Sequence, residues 1–206
     1  MNDLEAIGSA AVLLILGAMS PGPSLAVVIR NTLHGGRLNG VICSIGHGLG
    51  FGVYALAAIL GLATLMREAP SVFAFAQLLG GCLLLYLAFK TATAGPVEIN
   101  LTDQTKSSSS FIEGVLMAIL NPKIALFFLA VFSAVLTQDL RPQTQYLLAL
   151  TGWAIDTGWY ALVAITLSTG PAVRFMTDKA RLINPIMALL FCGLALWSFY
   201  RALGNL

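Results

Sequence analysis

Long apolar runs dominate the chain, and short polar intervals separate them. Six runs approach or exceed the roughly 20 mostly apolar residues that a helix needs to cross a bilayer. They extend over residues 6–29, 41–66, 71–89, 111–136, 146–167 and 183–200. The longest polar interval, 90–110, is rich in Ser and Thr and predicts a linker. The pattern therefore predicts an all-α membrane protein, with residues 1–206 forming one polytopic domain of six transmembrane helices.

Composition supports this class and excludes others. Hydrophobic residues make up 58% of the 206 positions and charged residues only 10%, against about 25% charged in soluble domains. The net charge of +2, with no basic cluster that also carries aromatics, gives no reason to expect nucleic-acid binding. Cys43, Cys82 and Cys192 lie in different apolar runs, so we expect no redox pair, no metal site and no cofactor.

The distribution of basic residues predicts an orientation, because Lys and Arg accumulate in cytoplasmic loops. Asp3 and Glu5 precede the first run in place of a basic region, so this run is interpreted as a retained helix and not as a cleaved signal. The bias places both termini outside and the loops after helices one, three and five in the cytoplasm. One side carries Arg30, Arg37, Lys90, Lys106, Arg174, Lys179 and Arg181, and the other carries Arg67, Arg141 and Arg201.

A weak internal similarity relates the two halves of the chain. Residues 22–26, Gly-Pro-Ser-Leu-Ala, occupy a place in the first helix that matches Asn-Pro-Lys-Ile-Ala at 121–125 in the fourth. Because three helices form each half, the halves run in opposite directions through the membrane, as inverted repeats do. We expect repeat 1 at about 1–90, a cytoplasmic linker at 91–110 and repeat 2 at about 111–206.

Prolines are predicted to break the first and fourth helices, since a proline inside a helix removes an amide donor. Pro21 and Pro23 should leave the carbonyls of Gly17 and Met19 without partners. Asn121-Pro122 favours the start of a half-helix in mid-membrane, whose free amides attract an anionic group such as a carboxylate. The alternative is that these prolines only bend their helices.

Two charges are predicted near the bilayer midplane. Lys123 and Asp156 lie at the centres of the fourth and fifth runs, about 15 Å from either surface. An ionised group at that depth costs at least ~3 kcal/mol, so both should face the bundle interior. They either pair with each other, or Asp156 binds an ammonium or a proton while Lys123 binds a carboxylate. Helical spacing places Gly152, Trp153 and Tyr160 on the same face as Asp156. This face either lines a small cavity or, at Trp153 and Tyr160, packs against neighbouring helices.

The second helix carries glycine at every second position from Gly46 to Gly52. Small residues at this density predict close contact with neighbouring membrane helices. His47 lies within this segment, and it is either a proton relay or a packing residue.

Together these motifs resemble the LysE/RhtB family of bacterial amino-acid exporters, along nearly the whole chain. The similar features are Ser20-Pro21-Gly22-Pro23, the glycine-rich second helix, Asn121-Pro122-Lys123 and Asp156. The resemblance implies a dimeric six-helix protein of the bacterial inner membrane that expels amino acids such as threonine, homoserine, leucine or lysine, driven by protons. Family members often carry Thr before the first proline and Asn after the second, where this chain has Ser20 and Ser24.

The predicted function is therefore export of an amino acid by proton antiport, with lipid, protons and the amino acid as partners. Alternatives are cation or metal export through freed carbonyls and Asp156, an intramembrane hydrolase with Ser20 and His47 as nucleophile and base, and a purely structural bundle. Ala18 stands where a GxSxG motif requires glycine, which disfavours the hydrolase. The predicted substrate-binding residues are Ser20, Pro21, Gly22, Pro23, Asn121, Pro122, Lys123, Asp156 and Tyr160, and the predicted proton-coupling residues are Asp156 and His47.

Overall fold

The computed structural model is all-helical across the residues it describes, which are 2–20, 22–93, 109–137, 140–166 and 170–205, without the side chains of 170–183 and 205. Pro21, Lys106 and most of the predicted linker lie outside these residues, as do the side chains of Arg174, Lys179 and Arg181. The helices are α1 (Asp3–Met19), α2 (Pro23–Glu68), α3 (Pro70–Ala92), α4 (Ser110–Leu120), α5 (Pro122–Val135), α6 (Pro142–Thr166) and α7 (Gly170–Asn205).

The first break separates α1 from α2. The Ser20 amide donates to the carbonyls of Leu16 and Gly17, at 3.1 and 3.2 Å, and α2 begins at Pro23 after an extended Gly22. The expectation that the Gly17 carbonyl lacks a partner is therefore wrong, because the last turn of α1 tightens to an i+3 bond. The helix nevertheless stops, since proline at the first position of α2 has no amide to donate.

The second break separates α4 from α5. Asn121 is extended, with φ −76° and ψ 109°, and its side chain accepts a 3.0 Å hydrogen bond from the Lys123 amide. Pro122 is the first residue of α5, and the axes of α4 and α5 differ by 53°. The predicted half-helix start at Asn121-Pro122 is therefore confirmed, and the alternative of a simple bend is wrong here.

Helix α2 contains 46 residues, which would extend about 69 Å at 1.5 Å per residue. That length is more than twice the roughly 30 Å of a hydrocarbon core. Gly36 interrupts it with φ +79°, a left-handed conformation that glycine adopts without steric penalty. The interruption falls between the predicted apolar runs 6–29 and 41–66, so α2 contains the end of one and all of the next.

Over the described residues, four helical segments are long and apolar enough to cross a membrane, and the bent α4–α5 pair supplies a fifth if it counts as one span. Large apolar side chains point outward along these helices, for example Phe75 at 66% and Leu189 at 73% exposure. An apolar exterior of this kind suits lipid and not water. The prediction of an all-α membrane protein is confirmed, and the count of six spans stays a prediction.

The alternating glycines of α2 lie between two helices. Gly46 and Gly50 face α4, whereas Gly48 and Gly52 face α6. A Cβ at Gly50 would lie 2.9 Å from the Val115 carbonyl oxygen, a distance that leaves no room for a side chain. Close helix contact therefore explains the glycine pattern, and it holds α2 in the position that brings His47 to the centre of the bundle.

Candidate functional site

Both helix breaks border one small cavity inside the bundle. Its volume is about 30 Å³, enough for one or two water molecules. The walls come from the end of α1, the start and middle of α2, the start of α5 and the middle of α6. Eight of the residues predicted from sequence line it: Ser20, Gly22, Pro23, His47, Asn121, Lys123, Asp156 and Tyr160. Pro122 lines a neighbouring cavity, and Pro21 lies outside the described residues.

Lys123 and Asn121 connect the two breaks. The Lys123 ammonium donates to the Ser20 hydroxyl at 2.8 Å and contacts the Ser20 carbonyl oxygen at 3.4 Å. The Asn121 amide nitrogen donates to the Ser24 hydroxyl at 3.0 Å. Each break thus supplies polar partners to the other, which satisfies groups that hydrocarbon would leave unpaired.

Asp156 pairs with His47 across the cavity wall. The two side chains are 3% and 1% exposed, and Nδ1 of His47 lies 2.7 Å from Oδ2 of Asp156. The alternative that Asp156 pairs with Lys123 is wrong, because these contacts direct the carboxylate to α2 and the ammonium to Ser20. With an ionised Asp156, Nδ1 donates this hydrogen bond, and Nε2 is then the acceptor of a neutral ring. This Nε2 is buried without a hydrogen-bond partner.

Tyr160 contributes its ring to the same site, whereas its helical neighbour Trp153 does not. The edge of the Tyr160 ring meets the His47 ring at a centroid distance of 4.8 Å, and Tyr160 is buried. Trp153 is 40% exposed and lines a groove on the outside of the bundle. Of the two readings for Trp153, a cavity residue or a packing residue, the position on the outer groove excludes the first.

Phe51, Ile124 and Phe127 form an apolar wall that the sequence reasoning missed. Phe51 meets Phe128 edge to face at 4.6 Å, and Phe128 is fully buried. Phe127 lies one helical turn after Lys123, so the predicted helix start at Asn121-Pro122 could have placed Phe127 at the cavity. The cavity is therefore polar on the side of the breaks and apolar on the side of these aromatic rings.

A second polar cluster also escaped the sequence reasoning. Glu113 on α4 accepts from Arg30 at 2.6 Å, from Asn31 at 2.9 Å and from Ser109 at 2.7 Å. It joins the early part of α2 to α4, at residues that line neither break. An arginine at the end of one apolar run and a glutamate at the start of another were the available signal for this ion pair.

The chain matches a known protein family over most of its length. A family model described as LysE type translocator matches residues 15–201. The chain belongs to the LysE type translocator family. The match includes both breaks, the His47–Asp156 pair and Lys123, so the whole site lies inside the region that defines the family. The resemblance stated from the sequence is therefore confirmed.

Three similar bacterial proteins are two membrane proteins and a leucine efflux protein. The uncharacterized membrane protein YahN of Escherichia coli K12 is 28% identical over 178 residues, covering 84% of this chain and 79% of that protein. An uncharacterized membrane protein of Haemophilus influenzae Rd is 27% identical over 185 residues, covering 86% and 88%. The leucine efflux protein of Salmonella typhimurium LT2 is 24% identical over 187 residues, covering 85% of each chain. No solved structure matches the chain.

Proposed function

We propose that the protein is a secondary transporter that exports a neutral amino acid from the bacterial cytoplasm in exchange for protons. The observation that carries the proposal is the meeting of two broken helices, a partly buried ammonium and a buried carboxylate around one cavity. Similarity to the leucine efflux proteins supports an aliphatic amino acid, and leucine is the first candidate.

The two ends of the cavity suit the two charges of an amino acid. The substrate carboxylate binds the Lys123 ammonium beside the start of α5, where the helix dipole adds positive potential. The substrate ammonium binds Asp156, and the apolar wall of Phe51 and Phe127 receives an aliphatic side chain. Ser20 and Asn121 then pair with substrate in place of the contacts they make across the breaks.

The cavity must widen before it binds an amino acid. Its volume of about 30 Å³ holds one or two waters, whereas an amino acid is several times larger. The structure therefore represents a closed state in this proposal. The breaks are the natural place for movement, because α1 and α4 end there and the connecting backbone at Gly22 and Asn121 is already extended.

Asp156 and His47 form the proton site of the proposed transporter. In the closed state the pair has one carboxylate and one imidazole in hydrogen-bond contact, and together they hold or release one proton as the cavity is exposed to either side. Protonation of Asp156 removes the negative charge that binds the substrate ammonium. Proton binding and amino-acid binding therefore compete, which is the requirement for antiport.

The topology belongs to the same proposal. The α1–α2 break and the α4–α5 break occupy matching places in two halves, α1 packs on α6, and α4 packs on α2. This exchange of partners supports two inverted repeats of three spans, with both termini outside and the protein acting as a homodimer in the inner membrane. Reporter fusions at the termini test the orientation, and light scattering of the detergent-solubilised protein tests the dimer.

The two alternative functions, cation export and hydrolysis, have less support at this cavity. Among the described residues no cluster of three His, Cys, Asp or Glu side chains exists, whereas a cation exporter would gain from several oxygen ligands. The proposed hydrolase pair of Ser20 and His47 does not form, because the Ser20 hydroxyl contacts Lys123 and the imidazole contacts Asp156.

Counterflow in proteoliposomes tests the function directly. Vesicles loaded with unlabelled L-leucine should take up radiolabelled leucine transiently, and a panel of amino acids and divalent cations should rank the substrates. Uptake driven only by a cation, with no amino acid active at millimolar concentration, would reject the proposal. Lys123→Gln should weaken leucine counterflow, whereas Arg67→Gln at the end of α2, far along the chain from either break, should not.

A further inference from the structure

A larger cavity lies next to the central one and has no assigned role. Its volume is about 330 Å³, within the range of about 300–1,000 Å³ that is typical of small-molecule sites. We call it the vestibule and define it by Tyr86, Lys90 and Thr91 of α3 together with 121–123 at the start of α5. Gly22, Pro23, Asn121 and Lys123 line both cavities, so the two are separated only by the breaks themselves.

The vestibule is positively charged. Lys90 lies on its outer side and Lys123 on its inner side, and the described residues that line it include no aspartate or glutamate. Both lysines line this one cavity, so their like charges repel each other. Lys90 Nζ lies 5.9 Å from the centroid of the Tyr86 ring, a cation–π distance that holds the group near the cavity. An anionic group between the two lysines would relieve their repulsion.

Lys123 connects the vestibule to the central cavity. Its ammonium contacts Ser20 beyond the first break, and a Cβ on Gly22 would lie 3.3 Å from Nζ. The ammonium therefore lies tightly against the backbone that separates the two cavities. A carboxylate that reaches Lys123 from the vestibule competes with Ser20 for it, and so weakens the contact that ties the two breaks together.

We propose that the vestibule is a binding site for the carboxylate of the solute, reached before the central cavity, with Lys90 as the first contact and Lys123 as the second. The identity of the solute as an amino acid rests on the proposed function, whereas the anion site rests on the two lysines and the cavity. The carboxylate is then passed from one ammonium to the other while the central cavity is still too small for the whole molecule.

The rates at which charged reagents label a cysteine in the vestibule test this site without a transport assay. Thr91→Cys introduces a thiol in the wall of the vestibule. Cys82 and Cys192 are changed to serine, whereas Cys43 is kept because its thiol is fully buried. Negatively and positively charged methanethiosulfonates are compared, each relative to its rate with a free thiol. The negative reagent should react preferentially. Lys90→Gln should reduce the preference about tenfold, because one unit charge about 6 Å away in water changes the rate of each reagent about threefold, in opposite directions.

Two controls accompany this measurement. Lys90→Arg should keep the preference, and Arg67→Gln, which also removes one positive charge near a helix end, should leave it unchanged. Background labelling is taken from the same chain with Thr91 intact. An unchanged preference in Lys90→Gln, or a loss of the same size in Arg67→Gln, would overturn the inference.

Protection of the introduced thiol identifies what the site binds. L-leucine and 4-methylpentanoate, which has the carboxylate but no ammonium, should slow labelling, whereas leucinamide should not. Protection by phosphatidylglycerol in nanodiscs, without protection by 4-methylpentanoate, would assign the site to lipid and overturn the solute proposal. If no amino acid is active in counterflow but 4-methylpentanoate protects, the proposed function is wrong and the anion site stands.

Discussion

Asp156→Asn removes the proposed proton site with little change of shape. The carboxylate lies 2.7 Å from the His47 imidazole, and an amide oxygen in its place still accepts from the Nδ1 proton. The variant loses the charge assistance of that hydrogen bond, so its stability should fall by about 1–2 kcal/mol. The protein should therefore fold, and what it loses is the ability to carry a proton.

The size of the effect follows from the number of titratable groups at the cavity. Asp156 and His47 are the acid–base pair among its described lining residues, and a shared hydrogen bond lets them exchange one proton. One proton per amino acid allows a pH difference of one unit to supply about 1.4 kcal/mol, or about tenfold accumulation at equilibrium. Without the carboxylate, the accumulation ratio should fall to one.

Proteoliposomes measure this ratio. The lumen is set one pH unit more acidic than the bath, the membrane potential is clamped at zero with potassium and valinomycin, and radiolabelled L-leucine is followed to its plateau. The unchanged protein should concentrate leucine in the acidic lumen by up to about tenfold. Asp156→Asn should not concentrate leucine, and its counterflow between equal pH values should weaken because the amide lacks the charge that binds the substrate ammonium.

The matched control is Glu68→Gln, which also changes a carboxylate to an amide but at an exposed position at the end of α2. It should accumulate leucine like the unchanged protein. Full accumulation by a folded Asp156→Asn protein would show that another group carries the proton, and the coupling role of the His47–Asp156 pair would have to be abandoned.

Three further predictions concern packing, the second polar cluster and the carboxylate site. Gly46→Ala should lower stability by about 1–3 kcal/mol, because its Cβ would collide with the Phe111 carbonyl. Gly61→Ala has open space and should be neutral or stabilising by up to about 1 kcal/mol. Thermal unfolding in detergent compares the two variants, and equal shifts would refute the packing argument. A double-mutant cycle of Arg30→Gln and Glu113→Gln should give a coupling energy of about 0.5–3 kcal/mol, and additive effects would show that the 2.6 Å ion pair contributes nothing specific. Lys123→Gln should raise the half-saturating leucine concentration in counterflow about tenfold or more, the equivalent of one lost charged hydrogen bond, and an unchanged value would remove Lys123 from the site.

Several features were predictable because they depend on local chemistry. A proline has no amide donor in any surroundings, so the end of α1 and the starts of α2 and α5 follow from Pro23 and Pro122 themselves. Apolar runs of sufficient length predict membrane helices for a similar reason, since every backbone group must be satisfied within the segment. The cost of burying Lys123 and Asp156 also predicted that both face the interior.

Other features were decided only by the tertiary structure. The partner of Asp156 is His47, 109 positions away in the chain, and Glu113 meets Arg30 across 83 positions. The vestibule forms because the end of α3 lies beside the start of α5, which no motif indicated. Local sequence sets which face of a helix is apolar, but the rotation and height of one helix against the next depend on how all their side chains pack together. Hydrogen bonds between helices need an accuracy of a few tenths of an ångström, so the pairings at this site are a property of the assembled bundle.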